Sequence, residues 1–106
     1  MSTPCEEIAR KVLPALRALI ARELVRRHGL AQSKVASLLG VTQASVSHYL
    51  SFKRGKLPGD ICDPDMVEAM AKEIADGIAR GSMGPEELPR ALCRICLHIK
   101  HRMGRG

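Results

Sequence analysis

The segment AQSKVASLLGVTQASVSHYL, positions 31 to 50, constrains the fold of this chain more than any other stretch, because it holds two short apolar patterns at helical spacing with one glycine between them. In the first pattern Val35, Leu38 and Leu39 fall on one face, and Gly40 then supplies the backbone freedom for a sharp turn. In the second, Thr42 stands where an N-cap belongs, ahead of Gln43, and Val46, Tyr49 and Leu50 point together at about 100° per residue. The inward face is therefore apolar. Opposite it, Ala44, Ser47, His48 and Ser51 project outward together, with Gln43 at the N-terminal end. None of these outward side chains is acidic.

The remaining chain reads as helix throughout, with no strand signal. Thr3, Pro4 and Glu6 form a capping-box pattern that opens a helix, which Pro14 must kink or restart before it continues through Leu16, Leu19, Ile20 and Leu24 to Gly29. A loop from Lys53 to Cys62, containing Pro58 and Gly59, leads to Asp63 and Pro64, which start a helix carrying Met66, Val67, Met70, Ile74 and Ile78 on one side. Gly81 to Gly84 breaks the chain again. Pro85 begins a last helix, with Pro89 near its first turn and Leu88, Leu92, Ile95 and Ile99 as its inward stripe. The expected fold is all-α, with five or six helices. At 106 residues and 45% hydrophobic composition the chain can bury a single core, so residues 1–106 are read as one domain. Within it the helix pair occupies about 31–51 and a C-terminal helical extension about 63–102.

Charge is distributed unevenly along this chain. Between Leu24 and Gly59 there is no Asp or Glu, yet Arg26, Arg27, Lys34, Lys53, Arg54 and Lys56 all lie in that window. Six of the eleven acids crowd between Asp60 and Asp76, so the formal net charge of +6 understates the polarity of the molecule. One face should attract polyanions and another should not.

On these residues the segment resembles the helix-turn-helix of the phage repressor and Cro class, the XRE type, with Gln32 opening the first helix, Ala36 at the helix crossing, Gly40 at the turn and Val46 buried. The likeness covers about a quarter of the chain. It implies that the second helix enters the major groove of double-stranded DNA, with Gln43, Ala44, Ser47 and His48 facing bases. Gln can pair bidentately with adenine, and an alanine methyl can touch the methyl of thymine. The same resemblance implies that Gln32 and Ser33 hold phosphate at the N-terminus of the first helix. It also implies backbone contacts from the basic loop Lys53, Arg54, Gly55, Lys56. Lys34 and Ser51, beside these groups, join the expected phosphate contacts. A plainer reading is that helix pairs with an intervening glycine occur in small helical domains that never meet DNA.

Other function classes fit less well. The chain has no apolar run near the length of a membrane span, and charged residues Glu6, Glu7, Arg10 and Lys11 interrupt any signal-peptide core, so the expectation is a cytoplasmic protein without a membrane partner. Only Tyr49 and Phe52 are aromatic, which disfavours modules that stack single-stranded bases. There is no Walker loop, no dinucleotide fingerprint and no acid–base pair at diagnostic spacing, so no enzymatic activity is expected.

Four cysteines remain. Cys93 and Cys96 stand one helical turn apart, where two thiolates can share a metal, while Cys62 precedes one helix and Cys5 lies in the first turn of another. Together they could hold zinc or an iron–sulfur cluster and make the protein a metal or redox sensor. Disulfides would fit a hyperthermophile host, though a Cys93–Cys96 bridge within a continuous helix would be strained, and the plain reading is buried free cysteines acting as small apolar residues. The chain also resembles small predicted prokaryotic transcription regulators of archaeal type, in which an N-terminal Pro-Cys-Glu, a VLPALRALIARELV-like helix and an LCRICLHIK-like tail accompany this helix-turn-helix. That resemblance implies a DNA-binding regulator related to the reading heads of larger archaeal proteins.

Two function classes therefore compete. The first is a sequence-specific duplex DNA-binding transcription regulator, a homodimeric repressor or autoregulator, with the apolar stripes of the C-terminal helices as its dimer interface. The second is a helical protein-interaction or antitoxin-like adaptor without DNA specificity. Those C-terminal stripes could also simply close the monomer core.

Overall fold

Pro14 sets the geometry of the N-terminal part. Its missing N–H cannot donate to the carbonyl of Arg10, and its ring crowds that carbonyl, so a regular α-helix cannot run through this point. In the computed structural model, which describes residues 8–51, 63–84, 86–88, 90–95 and 97, the backbone answers with a widened π turn at Ile8–Val12. Helix α1, Leu13–Arg26, then starts with Pro14 in its first turn, where no donor is needed. The expected restart at Pro14 is thus observed, in the form of a π turn rather than a bend. The capping pattern at Thr3, the loop from Lys53 to Cys62, Pro85, Pro89 and Ile99 lie outside the described residues.

Three further α-helices follow: α2, Gln32–Leu39, α3, Gln43–Tyr49, and α4, Pro64–Ala79. Residues 88–97 are also helical where described, and no strand occurs among the described residues. The fold is all-α. Helix α4 begins as its sequence dictates, since the Asp63 side chain accepts a hydrogen bond from the Asp65 N–H at 3.0 Å and Pro64 occupies the first turn. It ends at Gly81, whose φ of +77° lets the Ser82 N–H donate to the Gly77 carbonyl and the Gly81 N–H to the Ile78 carbonyl.

Helix α1 is the hub. It packs against the π turn, α2, α3 and α4. Leu16, Ile20 and Leu24 are fully buried, and each such side chain stabilises the fold by about 1.5–3 kcal/mol relative to exposure. One continuous core joins them to Val35, Ala36 and Leu39 of α2, Val46 of α3, and Val67, Ala71, Ile74, Ala75 and Ile78 of α4. Leu88, Ala91, Leu92 and Ile95 belong to the same core. The buried residues of the two C-terminal apolar stripes thus contribute to the monomer core, while Met66 and Met70 of α4 stay partly exposed beside it. Among the described residues, no helix is long and apolar enough to cross a membrane.

Candidate nucleic-acid interface

The turn between α2 and α3 is built by local chemistry alone. Gly40, at φ +70°, adopts the left-handed conformation that closes a Schellman motif, with the Val41 N–H donating to the Ala36 carbonyl at 3.0 Å and the Gly40 N–H to the Ser37 carbonyl at 3.4 Å. Two residues later the Thr42 hydroxyl accepts from the Ser45 N–H at 3.0 Å and donates to the Ser45 hydroxyl at 2.9 Å. This caps α3 at its N-terminus. Seven residues are too few for a helix to persist in water by itself, so α3 depends on what it packs against. Val46, at 0% exposure, is its one buried residue.

Burial of Val46 fixes which way α3 faces. Gln43, Ala44, Ser47, His48 and Ser51 are all exposed, while Tyr49 and Leu50 are half-buried behind them. The far end of the helix is tied to α1, because the Arg26 guanidinium donates to the Leu50 carbonyl at 3.2 Å. The Ser51 hydroxyl donates to the His48 carbonyl at 2.7 Å and closes the last turn. On α2, Ser33 and Lys34 are exposed and Gln32 is half-buried. The residue at its N-cap is Ala31, whose side chain offers no acceptor, so the first N–H groups of α2 have no side-chain cap. Lys53, Arg54 and Lys56 lie outside the described residues.

The acid-free window counted more free cations than the fold leaves. Arg27 forms an ion pair with Asp76 and a second, at 3.4 Å, with Glu23 one turn back. His28 Nε2 lies 2.8 Å from the same Asp76 oxygen. This cluster pins the end of α1 to α4 just before the chain enters α2. Arg27 is thus paired within the fold, while Arg26, exposed and bonded to the neutral Leu50 carbonyl, keeps its charge. Arg22, Arg26, Arg27 and Lys72 share a cleft of about 320 Å³ between α1 and α4 with Glu23 and Glu68.

Sequence reasoning did not single out Lys11 as a site residue. It lines a cleft of about 200 Å³ together with His48 and Ser51 of the outward face. The spacing of Lys11, Ala15 and Ala18, which places them on one face of a helix, was the available signal. Of the four cysteines, Cys93 is exposed and free. Cys5, Cys62 and Cys96 lie outside the described residues, and no group of three or more metal-ligating side chains occurs among those described.

Compared with known protein families, with curated proteins and with solved structures, the chain gives no match. What stands is a small all-helical globular protein.

Proposed function

We propose that α2 and α3 form a repressor-like helix-turn-helix and that the protein is a sequence-specific double-stranded DNA-binding transcription regulator, acting as a dimeric repressor or autoregulator. The observation that carries this reading is the outward face of α3, where Gln43, Ala44, Ser47 and His48 are exposed together with no acidic side chain among them. Small residues let a helix lie deep in the major groove. Gln43, at the N-terminal end that would enter first, would pair with adenine, and Ala44 would meet a thymine methyl. Ser47 and His48 extend the contact along the same groove.

Phosphate contacts would hold the register. The side-chain-uncapped N-terminus of α2, with Gln32, Ser33 and Lys34 around it, offers backbone N–H groups and the positive end of the helix dipole to one phosphate. Ser51, and Lys53, Arg54 and Lys56 after it, would contact the backbone on the other side of the groove. Dimerisation would use what the monomer core leaves over. A groove of about 270 Å³ between α4 and residues 88–97, floored by Met70, Ile74, Met83 and Ile95 and edged by Glu73 and Arg94, offers apolar surface with both charges for a second copy.

The adaptor reading draws on one observation, namely that Arg27 is paired with Asp76 and Glu23 within the fold, so the surface carries less charge than the sequence suggests. Duplex binding measured against salt separates the two. A DNA reader loses affinity steeply as salt rises, and Gln43→Ala or His48→Ala relaxes its sequence preference more than Lys53→Ala or Arg54→Ala does. Equal binding of every duplex, or none at low salt, supports the adaptor.

A further inference from the structure

We propose that the cleft between α3 and the N-terminal end of α1 receives one phosphodiester group of duplex DNA, held by Lys11; this rests on the reading of α3 as a DNA-reading helix. Three observations converge there. The first is shape: Pro14, Ala15 and Ala18 form a low floor on α1, and the opening of about 200 Å³ admits several waters, at about 30 Å³ each, that an anion could displace.

The second is chemistry. Among the described residues the polar rim consists of Lys11, His48, Tyr49 and Ser51, with no carboxylate beside them. The Ser51 proton is used on the His48 carbonyl, which leaves the Lys11 ammonium, the His48 ring and the Tyr49 hydroxyl as donors. Lys11 is exposed and has no hydrogen-bond or ion-pair partner among the described residues. It stands beside the C-terminal end of α3, where the backbone carbonyls alone would repel an anion and a cation is needed to hold one.

The third is position. His48 and Ser51 belong to the face of α3 that points away from the core, so a ligand in this cleft would flank whatever that face touches. For a helix in the major groove the flanking group is a sugar–phosphate backbone, and an ammonium on a flexible stem suits a phosphate as a point charge. Lys11 would thus clamp the backbone from the α1 side, while the N-terminus of α2 addresses another phosphate.

A phosphate contact is independent of base sequence, so the test needs no knowledge of the operator. Binding of a mixed-sequence DNA duplex is followed by fluorescence anisotropy over a salt series for the wild type, Lys11→Gln, Lys11→Arg and, as a control on α4, Lys72→Gln. Lys72 is exposed on the mixed-charge side. The proposal expects the slope of log K against log salt to become shallower by about 0.9 in Lys11→Gln, the value of one lost phosphate contact. Lys11→Arg and Lys72→Gln should keep the wild-type slope. A wild-type slope in Lys11→Gln, or an equal loss in Lys72→Gln, overturns the assignment while leaving the reading of α3 intact. A wild type that binds no duplex overturns both.

Discussion

Replacing Val46 by alanine tests whether α3 owes its existence and its orientation to one buried side chain. Val46 is fully buried, and it is the one buried residue of a seven-residue helix. The substitution removes the equivalent of two methylene groups, about 1.6 kcal/mol of transfer free energy. Partial collapse around the vacated space adds a cavity contribution, bringing the expected loss to about 2–3 kcal/mol. A domain of this size has a total stability of about 5–15 kcal/mol, so the loss is a substantial fraction of it. Urea unfolding followed by far-ultraviolet circular dichroism should show a lower midpoint with an unchanged slope. Ser47→Ala, one position along on the exposed face, should change stability by no more than about 0.5 kcal/mol. The reasoning is refuted if Val46→Ala is no more destabilising than Ser47→Ala.

Four further outcomes are expected. Gly40→Ala should cost about 1–2 kcal/mol in thermal or urea unfolding, because an added Cβ meets open space and the penalty is backbone strain at φ +70° alone. Gly77→Ala, inside α4 and with ordinary contacts to Met83 Cβ at 3.5 Å and Ser82 Oγ at 3.6 Å, should be neutral or stabilising by up to about 1 kcal/mol; equal losses at both glycines contradict this contrast. Asp76→Ala removes the partner of Arg27 and His28 and should cost about 0.5–1 kcal/mol at low salt and less at high salt, since these side chains are partly exposed; a salt-independent loss contradicts the ion-pair account. Met70→Lys, in the groove between α4 and residues 88–97, should shift a dimer toward monomer in sedimentation experiments, and a wild type that is monomeric at every concentration removes the proposed interface.

Which features were legible in the sequence follows from how local their physics is. The start of α4 at Asp63 and Pro64, the turn at Gly40 and the cap at Thr42 each depend on a handful of adjacent residues, and the structure forms all three as expected. Pro14 announced a break. Whether the lost hydrogen bond would be relieved by a bend or by a π turn depends on the packing of Val12 and α1, which no local pattern encodes. The tie between Arg27 and Asp76 joins residues 49 positions apart, so Arg27 looked like a surface cation until the fold brought α4 against α1. Likewise Lys11 and His48 line one cleft only because α1, which continues from the π turn holding Lys11, packs against α3. The stripes of α4 and of residues 88–97 were ambiguous for another reason: burial against the same chain and burial against a second copy demand the same apolar periodicity. For Cys5, Cys62 and Cys96, which lie outside the described residues, spacing alone cannot distinguish metal ligation from plain apolar packing.

The central claim is that the exposed side of α3 reads base edges in duplex DNA. Selection of bound fragments from a random duplex library, run in parallel for the wild type and Gln43→Ala, tests it most directly. The account predicts that the wild type enriches paired half-sites with centres about 34 Å apart, one helical turn, and that the variant loses preference at one base of each half while keeping the spacing. Folded wild-type protein that enriches no sequence over the starting library contradicts it.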